Sequence, residues 1–383
     1  MVRNQVWQAL VVGFSLVLSA ESLQASRVLA QVAPAISVEA GRQSSDQTAA
    51  QARWDRAMQL ASQARQLQQT TRPFVQTWQQ ERSLWQQALA SLSEIERTSE
   101  LAAPALQKAQ EYQAYLDQVT QQLETAQANF LPTIVRRSGL SAQTMITICT
   151  LSRECRRLRG DTPPASPASL IKVPVAVALM HKVTTENIDL DSLIYVNPGN
   201  FTEDAAAIRV GRRYSLRTLL VQMIARSSNI ATNQLIDYLG QDYINQVLQE
   251  RGYRVTRVNH KLTGASTVPI NPGYTVNQIT SDELTEMMVQ IYNREHAGDD
   301  VIVDALSRQY DQWLGIAALR GSTARWLGEK TGQNSKALGT TLALELNGER
   351  YIITVIDNRG ARDQNIRRCI AQISDYISRM TEF

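Results

Sequence analysis

Near the C-terminus, residues 340–357 read TTLALELNGERYIITVID. No other short stretch constrains the fold as tightly. Two aliphatic and β-branched runs are separated by Asn347-Gly348, a dipeptide suited to the two positive φ angles of a tight hairpin turn. The stretch therefore predicts two antiparallel strands. RWLGEK at 325–330 reads as a third strand just upstream. Far from these, TMITICTLS at 144–152 is rich in β-branched residues, and CRRLRG at 155–160 is a candidate hairpin partner for it. Helical text fills the interval: VPVAVALMHKV, SLRTLLVQMIARSSNIATNQLIDYLG and SDELTEMMVQIYN. The chain ends in a helix with Ile366, Cys369, Ile370, Ile373, Ile377 and Met380 on one face. Strands at both ends with helices between them predict an α+β fold, an antiparallel sheet covered by helices.

The first third has a different texture. MVRNQVWQALVVGFSLVLSA, residues 1–20, joins a basic start to an apolar run, and small residues follow. Residues 1–30 read as a secretory signal, with cleavage after Ala25 or Ala30. An uncleaved membrane tether is the alternative, although the run is short of the ~20 apolar residues of a spanning helix and Gln8 interrupts it. Residues 31–47 are small, polar and aperiodic, a flexible spacer. Residues 48–131 are glutamine-rich with a helical period. One face carries Phe74, Trp78, Trp85, Ala88, Leu92 and Ile95; the next carries Ala105, Ala109, Tyr112, Leu116, Val119, Leu123, Ala126 and Phe130. Such spacing predicts a helical hairpin or coiled coil, with an earlier helix around Trp54, Met58 and Ala61. Nothing in this region identifies its partner; a packing module or spacer is the plain reading.

With 383 residues the chain suits two domains. A net charge of +3 lacks the footprint of a dedicated nucleic-acid binder. Three histidines and three cysteines are too scattered for a zinc pattern, and no cofactor is expected.

PASLIKVP, residues 167–174, sets Ser169 one helical turn before Lys172 among apolar neighbours. Only six of the 39 basic residues are lysines. A serine hydroxyl needs a nearby base to become a nucleophile, and a desolvated lysine can serve. Alone the pair is also compatible with a capping serine and an exposed lysine. Two further motifs follow in order: ARSSNIATN, with Ser227, Ser228 and Asn229, and GEKTGQ, with Lys330, Thr331, Gly332 and Gln333. Together they match the S-x-x-K, S-x-N, K-T-G pattern of penicillin-recognising serine acyltransferases.

On these motifs, residues 141–383 resemble the class A β-lactamase fold, and within it most closely the D,D-peptidases of the penicillin-binding-protein-A branch. The resemblance implies a five-stranded sheet. It implies Ser169 as nucleophile, Lys172 as its base, Ser227 as proton relay and Asn229 as a substrate amide contact. Lys330 and Thr331 would hold a substrate carboxylate, and the N–H groups of Ser169 and Gln333 would form an oxyanion hole. Two departures stand out. Ser228 replaces the usual aspartate. In the loop where lactamases keep a deacylating glutamate, that position falls on Leu262 and the loop's asparagine on Ser266, with no acidic residue between Glu250 and Asp282.

The expected protein is therefore an exported serine D,D-peptidase, periplasmic or extracellular. It would act on D-Ala-D-Ala ends of peptidoglycan stem peptides, with β-lactams as covalent inhibitors. A β-lactamase with another deacylation route and a weakly catalytic wall-peptide binding module are the alternatives. His260 and Lys261 read as solvated loop residues, and Asp237, Asp282 and Glu283 as surface groups. Cys149 and Cys155 flank the proposed hairpin, and export permits a disulfide between them; Cys369 should be a buried thiol.

Overall fold

The computed structural model describes residues 46–69, 75–203, 207–358, 360 and 362–380. The signal region, residues 31–45 of the spacer and Phe74 lie outside the described residues, while Asp46 and Gln47, read as spacer, already belong to a helix. No helix among the described residues is long and apolar enough to cross a membrane. The chain divides into two compact units at Thr120/Gln121.

In the first unit, helix α1 (46–68) precedes α2 (Val75–Ser93) and the start of α3 (Ala102–Gln127). Small residues on α1 (Ala57, Ala61, Ala64) let the helices approach, and Trp85 fills the space between them. Its ring lies 5.1 Å from Tyr112 and stacks at 4.9 Å on Tyr115. Glu81 is buried beside it and accepts from the Trp85 indole (3.2 Å) and Gln68 (2.6 Å).

In the second unit, the short helix α4 (Leu131–Ser138) was not anticipated. It buries Leu131, Ile134 and Val135 in the same core as Ile366, Ile370 and Ile373 of the last helix, α12 (Asp363–Ser378). Strands β1 (Met145–Thr150) and β2 (Cys155–Leu158) form the expected hairpin, which places Cys149 opposite Cys155. The two cysteines form a disulfide, with Cα atoms 4.2 Å apart. Cys369 is buried, and burial pushes its thiol up to about 12.

Strands β5 (Arg325–Gln333), β6 (Ala337–Leu346) and β7 (Glu349–Asn358) complete an antiparallel sheet of order β2-β1-β7-β6-β5. Asn347 and Gly348 join β6 to β7 with φ of 53° and 84°, as the dipeptide predicts. The sheet is covered on both faces, so alternate side chains enter different cores. On β7, Ile352 and Ile356 enter one and Ile353 and Val355 the other.

The first core also takes α5 (Lys172–Thr185), α6 (Leu216–Ala225), α7 (Asn229–Leu239), α8 (Gln241–Glu250), α9 (Ser281–Asn293) and α10 (Asp299–Ser307). Helix α11 (Gly315–Leu319) packs on β5 and α12. Two very short strands, β3 (Leu193–Tyr195) and β4 (Arg213–Ser215), pair beside α6. The helical text from Ser215 to Gly240 is interrupted. Ser227 sits at φ 56°, and Ser228 caps a new helix by accepting from the Ala231 N–H. That break turns Ser227 out of helical register.

Candidate active site

Three elements meet at Ser169. The first is a 3-10 turn (Ala168–Ile171) leading directly into α5. Ala168 takes a left-handed φ of 47°, a conformation costly for a residue with a Cβ and frequent where a side chain must be aimed. The second is the α6–α7 break carrying Ser227 and Asn229. The third is the end of β5, which runs against the turn. A Cβ on Gly332 would lie 2.8 Å from Leu170 Cγ and 3.2 Å from the Ser169 nitrogen, so only glycine permits this approach.

Lys172 is fully buried. Its ammonium donates to Ser169 Oγ (3.0 Å), Ser227 Oγ (3.0 Å), Asn229 Oδ1 (2.8 Å) and the Ser227 carbonyl. Lys330, also fully buried, donates to Ser227 Oγ (3.2 Å) and the Thr331 carbonyl (2.7 Å). Burial lowers the Lys330 amine to about 8, while the charges of Asp311 and Glu329 act the other way. Ser169, Lys172, Ser227 and Lys330 thus form a continuous polar chain from the Ser169 hydroxyl to the Lys330 amine. Thr331 and Gln333 line the same cleft as Ser169 and Ser227, together with Arg226, Tyr310 and Asp311. Arg226 lies 3.9 Å over the Tyr310 ring. Asp311 was not singled out in the sequence; its only signal was an acidic residue in a loop, which is common.

A second cleft, which includes Pro167 and Ala168 just before Ser169 in the chain, is also lined by Leu262, Tyr274 and Asn334. Leu262 is held there by both backbone groups: its N–H donates to Asn233 Oδ1 and its carbonyl accepts from Asn233 Nδ2, each at 2.8 Å. Asn233 belongs to α7, which starts at the Ser227 break, so one helix positions both Ser227 and the Leu262 backbone. Ser266 lies further along the loop. Its hydroxyl and N–H donate to Glu203, as does the Thr267 hydroxyl. These bonds hold the Glu203 carboxyl down to about 2, which makes it a poor proton acceptor.

Several residues read as solvated are structural. Lys261 is 2% exposed. It pairs with Asp237 at 2.6 Å and donates to Asn200 Oδ1 and the Ile270 carbonyl. A charge withdrawn from water needs such partners, and they come from segments distant in sequence. Glu283 accepts from the N–H groups of Arg254, Val255 and Thr256 and from the Thr256 hydroxyl. Asp282 accepts from Thr147 of β1 and pairs with Arg157 of β2. Asp237, Glu283 and Lys261 thereby fix both ends of the segment carrying Leu262. His260 donates from Nδ1 to the neighbouring Lys261 carbonyl. Among the described residues, no group of three or more histidine, cysteine or acidic side chains could hold a metal ion.

Solved structures similar to this chain include PBP-A, at 23% identity over 66% of this chain and 97% of that one, with a TM-score of 0.57. A leucine-to-glutamate mutant of PBP-A, as an acyl-enzyme complex with penicillin G, gives the same figures. A β-lactamase from Sphaerobacter thermophilus DSM 20745 shares 21% identity over 65% of this chain and 98% of its own, with a TM-score of 0.55. No curated protein matches the chain. Residues 136–380 match the beta-lactamase enzyme family, nearly two thirds of the sequence, and the chain belongs to that family.

Proposed function

We propose that the protein is an exported serine D,D-peptidase that cleaves D-Ala-D-Ala ends of peptidoglycan stem peptides and is acylated slowly reversibly by β-lactams. The observation that carries this reading is Leu262: where the resemblance puts a lactamase's deacylating glutamate, the chain has an apolar residue, held by Asn233 in the wall of a cleft that Pro167 and Ala168 also line. The PBP-A likeness supports the same choice within the family.

The geometry gives a consistent reaction sequence. Lys172, in its neutral form, takes the Ser169 proton across 3.0 Å as Oγ attacks the carbonyl carbon. The N–H groups of Ser169 and Gln333 receive the developing oxyanion, aided by the start of α5. Ser227 passes a proton to the leaving nitrogen as the C–N bond breaks and is resupplied by Lys172, also 3.0 Å away. Lys330 and Thr331 hold the substrate's terminal carboxylate, and Asn229 contacts its amide. Water then cleaves the acyl-enzyme. The amine cleaved from a peptide departs and leaves its place to water, whereas the amine of an opened β-lactam ring stays attached to the acyl group and blocks that approach, and the Leu262 position supplies no carboxylate to activate a water from the other side.

Three measurements on one preparation test the reading. Fluorescent penicillin should label the protein stoichiometrically and persistently, and Ser169→Ala should abolish labelling without loss of fold. A D-Ala-D-Ala model peptide should release D-alanine. Rapid multiple turnover of a chromogenic cephalosporin would instead identify a β-lactamase, and labelling without D-alanine release a binding module.

A further inference from the structure

We infer that the cleft on the Leu262 side of Ser169 is a subsite for acyl groups that carry a carboxylate, so that the enzyme selects acidic acyl donors. This rests on the serine acyl-transfer reading above, because that reading decides which cleft receives which half of the substrate. Lys330 and Thr331, the proposed carboxylate holders, lie on the Asp311 side, which therefore takes the leaving group. The opposite cleft takes the acyl half.

That cleft encloses about 390 Å³, within the usual range for a small-ligand site. Its lining includes three apolar side chains, Leu262, the fully exposed Tyr274 ring and Val276, 70% exposed, interleaved with Lys261, Thr263, Thr275 and Asn277. Exposed apolar side chains gathered at a cleft rim mark a binding surface more often than scattered ones do. Lys336, just after the end of β5, also lines it. No aspartate or glutamate lines the cleft.

The two lysines of this cleft differ in what they can offer. Lys261 is committed to Asp237, Asn200 and the Ile270 carbonyl. Lys336 is exposed, and its ammonium has no hydrogen-bond or ion-pair partner among the described residues; only its backbone N–H is engaged, by Asn334. The amides nearby are also occupied. Asn334 bonds Ser166 and the N–H groups of Lys336 and Ala337, and Asn277 bonds the backbone of Asn259 and His260. The cleft thus offers apolar surface and one uncommitted cation. An acyl group with an apolar body and a terminal carboxylate complements both.

Three penicillins that share a phenylacetyl body separate the charge from the shape: benzylpenicillin, its α-carboxy derivative and its α-amino derivative. Second-order acylation rates are measured for each at low salt and normalised to benzylpenicillin. An ion pair at a solvated site supports a preference of about threefold to fivefold for the α-carboxy over the α-amino compound. Added salt should erode it. Lys336→Gln should bring the ratio near one, and Lys336→Glu should invert it. A wild-type ratio at or below one, or a ratio that Lys336→Gln leaves in place, overturns the subsite while the acyl-transfer reading stands. Failure of benzylpenicillin to acylate Ser169 at all overturns the reading itself, and the subsite with it.

Discussion

Raising the pH should weaken recognition of carboxylate-bearing substrates within a narrow and unusual window, because Lys330 titrates near 8 instead of near the ordinary lysine value. The sign follows from the surroundings. Full burial disfavours the charged amine and lowers its pKa; Asp311 and Glu329 favour the charge and limit the drop. On the proposed reading the ammonium form binds the substrate carboxylate, so recognition should be strong below about 8 and decline above it. A group titrating near 8 is roughly 90% charged at pH 7 and roughly 10% at pH 9. A charge-assisted hydrogen bond exceeds a neutral one by roughly 1.5 kcal/mol, about tenfold. Both limits give a fall of about an order of magnitude in the acylation rate between pH 7 and 9. The assay compares a penicillin with its methyl ester, since other titrations in the site, that of the nucleophile's base included, act on both and cancel in the ratio. Asp311→Asn removes the leading contribution that raises Lys330, so the midpoint of the ratio should move below 8. A ratio that stays flat from pH 6.5 to 9.5, or a midpoint that rises in Asp311→Asn, would refute the assignment of Lys330 as carboxylate holder.

Other substitutions probe the remaining parts of the site. Gly332→Ala should slow acylation about 10²-fold, the scale of a lost oxyanion donor, because the new Cβ meets Leu170 and the Ser169 nitrogen; near-wild-type labelling would show that β5 can stand further off. Cys149→Ser should lower stability by roughly 2 kcal/mol, given the short loop the disulfide closes, and leave penicillin labelling intact at temperatures well below the melting transition. Leu262→Glu should hasten penicilloyl release, at or below the ~10²-fold end of general-base effects, because the new carboxylate enters a half-apolar wall without a partner to hold the water; time-resolved mass spectrometry of the acyl-enzyme measures this. An unchanged release rate would mean that Leu262 does not face the acyl carbonyl.

The sheet was legible because its signals are local. Asn347-Gly348 fixes a turn through two backbone angles, and the strand on either side needs only its own alternation. The same locality made Ser169 and Lys172 readable, since three residues of helix place them together. The α6–α7 break was not legible: Arg226-Ser227-Ser228 lies inside an unbroken helical period, and the left-handed φ at Ser227 is imposed by its packing between two lysines and a new helix cap. Helix α4 was missed for a related reason. Eight residues hold too few periodic positions to announce a helix, although its apolar side chains are fully engaged with α12.

Lys261, Asp237 and Glu283 were misread because each has its partners far along the chain. Asp237 answers Lys261, Asn233 answers Leu262, and Glu283 answers three consecutive backbone N–H groups at 254–256. No window of sequence contains both members of any of these sets, so every one looks like an ordinary surface group. Glutamate at the Leu262 position would justify such support as the positioning of a base, but the side chain held there has no chemistry to position. On the proposed reading the scaffold serves a different end. It keeps an apolar wall rigidly against the acyl carbonyl, so that no water is activated there and no carboxylate enters the cleft to oppose the charge of Lys336. The long life of the penicilloyl-enzyme and the preference for acidic acyl groups would then have one structural origin, and a substitution that frees the loop, such as Asn233→Ala, should weaken both together.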